Sequence, residues 1–300
     1  MFAKYSYLAG ITAAQLLADL VALCTGTTDP AALSAGCDKP NTVIMAGITP
    51  AGWSVFDAAA GTNKVCITAP CKEEPARLKY VVIDTNTAGS VFRPVYESWN
   101  AGAHVGSNLA YSSNNSGDAK VSAAVPGTIY LHVTPRHLVM WGTYTGAPFA
   151  APSWVMECDT AFSWCAPGQG FTPAGFFGST GWFPPRFVGK NGVTSTSGSS
   201  AYCTVYAFWG SLMGVDANFS NGVPMAGGTY GIPVSVLWGD ISGGSSAATP
   251  VVSGFSNSDL LACFSNAALG DEFTYNGQTY VMLPMSSAAM ARGNLMLLKG

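Results

Sequence analysis

Apolar positions along this chain follow two regimes. Between residues 11 and 26 they recur at helical spacing. Thr12 and Gln15 form a T-x-x-Q capping box, and Ile11 and Leu16 occupy the N′ and N4 positions of a hydrophobic staple. Leu16, Leu17, Leu20, Val21 and Leu23 make one stripe, and Gly26 supplies a left-handed stop. A second, short helix is predicted from Asp29, with Pro30 at its first position, through Leu33. No later segment carries a helical period that we would defend.

From there on, short apolar runs alternate with Gly and Pro. Leu78–Asp84 (LKYVVID) and Ser90–Trp99 (SVFRPVYESW) read as strands joined through TNTAG, with Pro94 demanding an edge or a bulge. Asn100–Asp118 reads as a polar, Gly-rich loop whose end is the best domain boundary. Gly127–Val133 and His137–Tyr144 read as two strands joined at Thr134-Pro135-Arg136. Residues 147–200 form a long aromatic loop region, including GWFPPRF, and loops of that length tend to be binding surfaces. Strand character returns at Tyr202–Leu212 and Val234–Trp238. Near the end, Glu272–Tyr275, Asn276-Gly277 and Gln278–Leu283 spell a type I′ hairpin, and Asn294–Lys299 adds a last strand. No fixed-period repeat appears.

These elements predict a mainly β fold, an antiparallel sandwich of jelly-roll type with a short α-helical N-terminal segment. Strands do not alternate with helices, so a nucleotide-binding α/β fold is not expected. Two domains are expected: residues 1–118 as an α+β anchoring domain, and 119–300 as a β-rich domain.

Composition adds a functional clue. The 300 residues include 13 Lys and Arg, 16 Asp and Glu, and 48% hydrophobic residues, with a formal net charge of -3. A folded chain of this size exposes roughly 12,000 Å², about one formal charge per 400 Å², and ordinary compositions give more than twice that density. Such a neutral surface is poorly protected against association, which points to a subunit of a large assembly. No basic cluster is present, so nucleic acid is not expected as a partner. No segment is long or apolar enough to insert in a membrane. Lys4 followed by an apolar run resembles a signal peptide, but Gln15 and Asp19 interrupt it, and a buried helix is the preferred reading.

Eight cysteines are present and none sits in a C-x-x-C pair, which disfavours zinc. Cys66 with Cys71, and Cys158 with Cys165, are local pairs that either close loop staples or remain buried thiols, depending on compartment. No nucleophile elbow, metalloprotease helix or phosphate loop occurs. His132 and His137 fall on neighbouring predicted strands, without a nearby carboxylate to complete a metal site. Glu97, Glu157, Asp159, Asp216 and Asp240 lie near Tyr96, Trp99, Trp154, Trp164 and Trp238, a pattern shared by glycosidases, glycan-binding faces and plain interfaces. Interface or core packing ranks first, with Trp154, Trp164 and Trp182 as candidate glycan or partner contacts. No catalytic residue, metal or cofactor is assigned.

The segments KYSYLAGITAAQLLADLVALCTGTTDPAALSAGCDK, AGWSVFDAAAGTNKVCITAPC and LKYVVIDTNTAGSVFRPVYESWNAGAHVGSNLAYSS resemble the opening of a group of tailed-bacteriophage virion structural proteins. A weaker echo lies in GDEFTYNGQTYVMLP and GNLMLLKG. The resemblance implies a non-enzymatic particle component of the tail or baseplate, made in the host cytoplasm and located in the virion. Its implied partners are copies of itself and other virion proteins. A capsid decoration or cement protein, and a host-surface glycan or receptor-binding module, are the alternatives.

Overall fold

The computed structural model describes residues 1–39, 43–46, 52–70, 75–76, 78–86, 90–91, 94–111, 119–135, 137–144, 153–156, 159–160, 173–176, 186–187, 202–206, 234–235, 237–241, 251–255, 260–264, 268, 270–284 and 293–300. The chain opens with β1 (Phe2–Tyr7), α1 (Ala13–Thr25) and a single 3-10 turn at Pro30–Ala32. Then follow β2 (Val43–Ala46), β3 (Ser54–Gly61), β4 (Lys64–Pro70), β5 (Leu78–Asp84), β6 (Ser90–Val91), β7 (Val95–Asn100) and β8 (Val105–Tyr111). The middle holds β9 (Ala119–Lys120), β10 (Gly127–Thr134), β11 (His137–Tyr144), β12 (Ser153–Met156), β13 (Asp159–Thr160), β14 (Pro173–Phe176), β15 (Arg186–Phe187) and β16 (Tyr202–Tyr206). The last part holds β17 (Val234–Ser235), β18 (Leu237–Ile241), β19 (Val251–Phe255), β20 (Leu260–Phe264), β21 (Glu272–Tyr275), β22 (Gln278–Pro284) and β23 (Gly293–Leu298).

The fold is mainly antiparallel β with one short helix. A seven-stranded sheet runs β15-β14-β12-β11-β10-β1-β2, and a five-stranded sheet runs β3-β4-β5-β7-β8. A four-stranded sheet (β13-β19-β18-β16), a second five-stranded sheet (β17-β20-β23-β22-β21) and the ribbon β6-β9 complete it. Strand β1 pairs with β10 from Phe2 opposite His132 to Tyr7 opposite Gly127. The stretches 1–118 and 119–300 therefore share one continuous sheet.

Helix α1 forms for the local reasons read from its sequence. The Gln15 amide donates to Thr12 Oγ1 at 3.1 Å, and Gln15 Oε1 accepts from the Thr12 amide at 2.9 Å, so two orphan donors are satisfied. At the other end Gly26 sits at φ 111, and the Gly26 and Thr27 amides both donate to Ala22 O. Leu16, Leu17, Leu20, Leu23 and Cys24 are buried. They share a core with Ala3, Tyr5 and Tyr7 of β1, Ile67 and Ala69 of β4, Val81 and Ile83 of β5, and Ile129, Leu131 and Val133 of β10. Each strand contributes alternate residues, as the two-residue period of β structure requires.

A carboxylate lies against that core. Asp19, which interrupts the apolar run in sequence, accepts from Tyr5 Oη at 2.6 Å, from the Ser34 amide at 2.6 Å and from Ser34 Oγ at 2.7 Å. It ties the helix to β1 and to the turn after the 3-10 element. Burial and the neighbouring Asp19 charge push the Tyr5 hydroxyl well above its usual range, so it stays a donor.

Several expectations need correction. Residues 2–7 form a strand inside the seven-stranded sheet, ahead of the helix. The run Ser90–Trp99 breaks into β6 and β7 at Pro94, whose carbonyl accepts from the Val82 amide at 3.0 Å, with a register shift just after it. Val105–Tyr111, read as loop, is a strand paired with β7. Val234–Trp238 divides between β17 and β18, which belong to different sheets. The hairpin at Asn276-Gly277 is as read, with φ values of 50 and 75.

Candidate functional site

The described side chain with the most unusual surroundings is Asp57. It lies on β3, an edge strand whose pairing with β4 shifts register between Val55 and Asp57 and again before Gly61. The shift leaves Phe56 as the extra residue and sets Asp57 opposite Cys66. Asp57 Oδ2 accepts from Trp99 Nε1 at 2.8 Å and lies 2.9 Å from His104 Nδ1, while Oδ1 accepts from the Ala59 amide at 2.9 Å. Trp99 and His104 belong to β7 and the β7–β8 turn, near the opposite end of the strand order. The sheet therefore curls, and Asp57 ties its two margins.

The turn that presents His104 is built locally. Asn100 Oδ1 accepts from the Gly102 amide at 3.0 Å and the Ala103 amide at 3.1 Å, and His104 takes φ 55. A non-glycine residue held there is strained, and here the Asp57 contact holds it in place. Burial opposes ionisation of Asp57, but bonds from His104, Trp99 and the Ala59 amide outweigh it and lower the carboxyl pKa overall. An ionised Asp57 only accepts, so the neutral imidazole carries its proton on Nδ1 and keeps a lone pair on Nε2.

Two aromatic pairs lie on the same sheet. Tyr80 and Tyr96 are register partners on β5 and β7. Phe56 meets Tyr80 edge-to-face at 5.1 Å, and Tyr96 meets Trp99 likewise at 5.4 Å. The Tyr96 ring lies against Gly106, where an added Cβ would approach its Cδ1 to 2.2 Å. Nearby, Lys64 pairs with Asp84 at 2.7 Å.

Cys66 is a buried free thiol, and burial together with the Asp57 charge pushes its pKa up to about 12. It is a packing residue in its present state, not an activated nucleophile. Its sequence neighbour Cys71, and the pair Cys158 and Cys165, lie outside the described residues. Trp154 is on β12, in register with Val139 and Gly175, whereas Trp164 and Trp182 lie outside the described residues.

Three of the acidic residues considered for glycoside hydrolysis are described. Glu97 is on β7, while Asp159 pairs with Phe255 and Asp240 with Cys203 in the four-stranded sheet. Glu157 and Asp216 lie outside the described residues. The register sets His132 opposite Val139 and His137 opposite Thr134. His132 is buried, and burial plus the Met1 ammonium charge lower its pKa to about 3. His104, which carries no local sequence signal, meets the carboxylate of Asp57. Among the described residues no group of three or more His, Cys, Asp or Glu is placed to hold a metal ion, and no helix is long and apolar enough to cross a membrane.

Charges are also turned inward elsewhere. Lys79 is buried, and its Nζ donates to Pro70 O at 2.9 Å and Pro135 O at 2.6 Å while lying 5.6 Å from the Trp53 ring centre. Trp53 Nε1 in turn donates to Thr134 O at 2.8 Å, which joins this sheet to the β10–β11 turn. Asp19, Asp57, Asp84 and Lys79 are thus all buried, while Leu8, Val55, Phe56 and Val105 are exposed. No protein-family model matches the chain, and no curated protein matches it.

Proposed function

We propose that this chain is a structural subunit of a bacteriophage particle, of its tail or baseplate. It assembles with copies of itself and with other virion proteins, after synthesis in the host cytoplasm. In this reading the sheets layer as a sandwich of jelly-roll type around α1. The observation that carries it is the scarcity of outward charge. Only 13 basic and 16 acidic residues serve 12684 Å² of accessible surface, and among the described residues four of them are buried. A neutral exterior with exposed Val55, Phe56 and Val105 gains by being covered, through apolar burial more than ion pairing. The resemblance of the first 115 or so residues to tail-associated virion proteins supports the same reading. A capsid-decorating position satisfies the surface argument equally.

The test is sedimentation of the purified chain across a salt series, beside imaging of the particle. Self-association that persists in molar salt, and density for the chain in the tail or baseplate, are expected. A monomer at all concentrations, together with no density in any particle, overturns the proposal.

A further inference from the structure

We propose that Asn276, at the tip of the β21–β22 hairpin, is a site of spontaneous covalent modification, at which the Gly277 amide nitrogen attacks the Asn276 side-chain amide within the folded chain. The bond that forms joins Gly277 N to Asn276 Cγ. The bond that breaks is Cγ–Nδ2; the Gly277 amide proton leaves to solvent, and Nδ2 takes up a proton and departs as ammonia. Water then opens the five-membered succinimide at either carbonyl. The product is an aspartate, or an isoaspartate whose main chain runs through the side-chain carbon. Nothing is oxidised or reduced.

The tip is open to this chemistry. Asn276 and Gly277 are both exposed. A Cβ added at Gly277 would meet nothing within 4 Å, so the attacking nitrogen is unshielded and water reaches the ring. The ladder runs from Glu272 opposite Val281 to Tyr275 opposite Gln278 and leaves the two tip residues outside it.

Backbone angles decide whether the fold permits the attack. Ring closure needs Gly277 N eclipsed with Asn276 Cβ, which tetrahedral geometry places at ψ of about −120°, the value of a type II′ turn. A type I′ turn holds that angle at about +30°, with the nitrogen turned away. Both turns share a positive φ at the first central residue, and Asn276 already holds φ 50. They differ by a flip of the central peptide, which carries the second residue from positive φ to about −80°. Gly277, at φ 75, makes that crossing with no side chain to obstruct it. Both turns fit a two-residue hairpin, so the ladder survives the flip.

Opening the hairpin is the slower route. At its base the Gly270 amide donates to Met282 O at 2.9 Å, and the Met282 amide donates to Asp271 O at 2.8 Å. Lys299 Nζ pairs with Glu272 Oε1 at 2.6 Å, and β22 is paired on its other side with β23. Reaction through global unfolding is slowed by the folding equilibrium constant, at least about a thousandfold. The product alters the tip. Isoaspartate adds a carbon to the main chain of a tight turn, and either product adds a negative charge to a chain of formal net charge -3. The inference does not rest on the particle-subunit reading, because an isolated folded copy carries the hairpin.

Asn191-Gly192 and Asn221-Gly222 share the dipeptide and lie outside the described residues. The experiment therefore incubates the full folded chain at pH 8 and digests samples after Glu272, which separates Asn276 from both. Mass spectrometry of that fragment reads ammonia lost and water gained, and hydroxylamine traps the succinimide. Conversion at Asn276 is expected within about tenfold of its rate in the chain unfolded in guanidinium chloride, because both turn types are accessible to the hairpin. Denaturant below the unfolding transition should leave the native rate unchanged. Asn276→Gly retains a type I′ dipeptide and should remove the signal from the fragment. A slower native rate, a rate that climbs with the unfolded fraction, or a signal that survives Asn276→Gly overturns the proposal.

Discussion

Replacing Asp57 by Asn tests whether the curl of the β3–β8 sheet depends on one carboxylate. The substitution keeps volume and removes charge. The carboxylate accepts on both oxygens, from Trp99 and His104 on one side and from the Ala59 amide on the other. An amide has a single acceptor oxygen, so either Ala59 or the Trp99–His104 pair is left facing an NH₂ group. Hydrogen bonds to charged groups contribute about 1.5–3 kcal/mol each. The Asp57 side chain is 4% exposed but His104 is 45% exposed, so solvent lies close and screens the pair. The lower part of the range applies, and Asp57→Asn should cost about 1.5–2 kcal/mol in urea unfolding. Trp99→Phe should cost about 1 kcal/mol, and the double variant less than the sum, because both delete one shared bond. The pH dependence has a definite sign. A carboxyl whose folded pKa is lowered stabilises the fold above its unfolded value near 3.9, and that contribution disappears as pH falls through the folded value. Asp57→Asn should therefore lose stability at neutral pH and converge on the parent in acid. Equal stability of parent and variant at pH 7, or a deficit that grows on acidification, would refute the reasoning.

Three other perturbations probe separate parts of the fold. Leu20 is fully buried between α1 and the sheets, so Leu20→Ala should lower the unfolding free energy by about 3 kcal/mol, read by chemical denaturation. Cys66, with its thiol pushed up to about 12, should resist iodoacetamide in the native chain at pH 8 and react fully in denaturant, as read by mass spectrometry of its peptide; rapid native labelling would contradict its placement. Gly277 at φ 75 closes the type I′ turn, so Gly277→Val should cost about 1–2 kcal/mol in thermal or urea unfolding, and an unchanged midpoint would count against that turn.

What the sequence disclosed was local. The T-x-x-Q box, the Gly26 stop, LKYVVID, the β10–β11 hairpin and Asn276-Gly277 each carry their instruction within a few residues, and each appears where it was read. Elements imposed by distant partners were missed. Strand β3, SVFDAAAG, is rich in Ala and weak in β propensity, and it is a strand because β4 pairs with it. Strand β8, VGSNLAY, has loop-like composition and is fixed by β7. The Asp57–His104 contact spans 47 positions and exists only once the sheet curls, so no local signal marks either residue. Asp19 was read as a flaw in an apolar stripe, because its partners Tyr5 and Ser34 come from segments before and after the helix.

The scarcity of charge has two physical readings, a larger interior or a covered exterior, and the buried ionisable groups separate them. A chain that shed charge to enlarge its apolar core would lose buried ionisable groups first, since each costs desolvation that neutral residues avoid. Here the opposite holds at four positions, each at a joint. Asp19 binds α1 to β1, Asp57 binds the margins of a curled sheet, Asp84 pairs with Lys64 between β4 and β5, and Lys79 reaches from β5 to the β10–β11 turn. Apolar packing is non-directional and leaves register poorly specified, whereas a satisfied polar network fixes one arrangement. Charge is thus kept where it orients layers. Among the described residues the saving therefore falls on the outside, where ionised groups would otherwise keep copies apart, which is what the proposed subunit role requires.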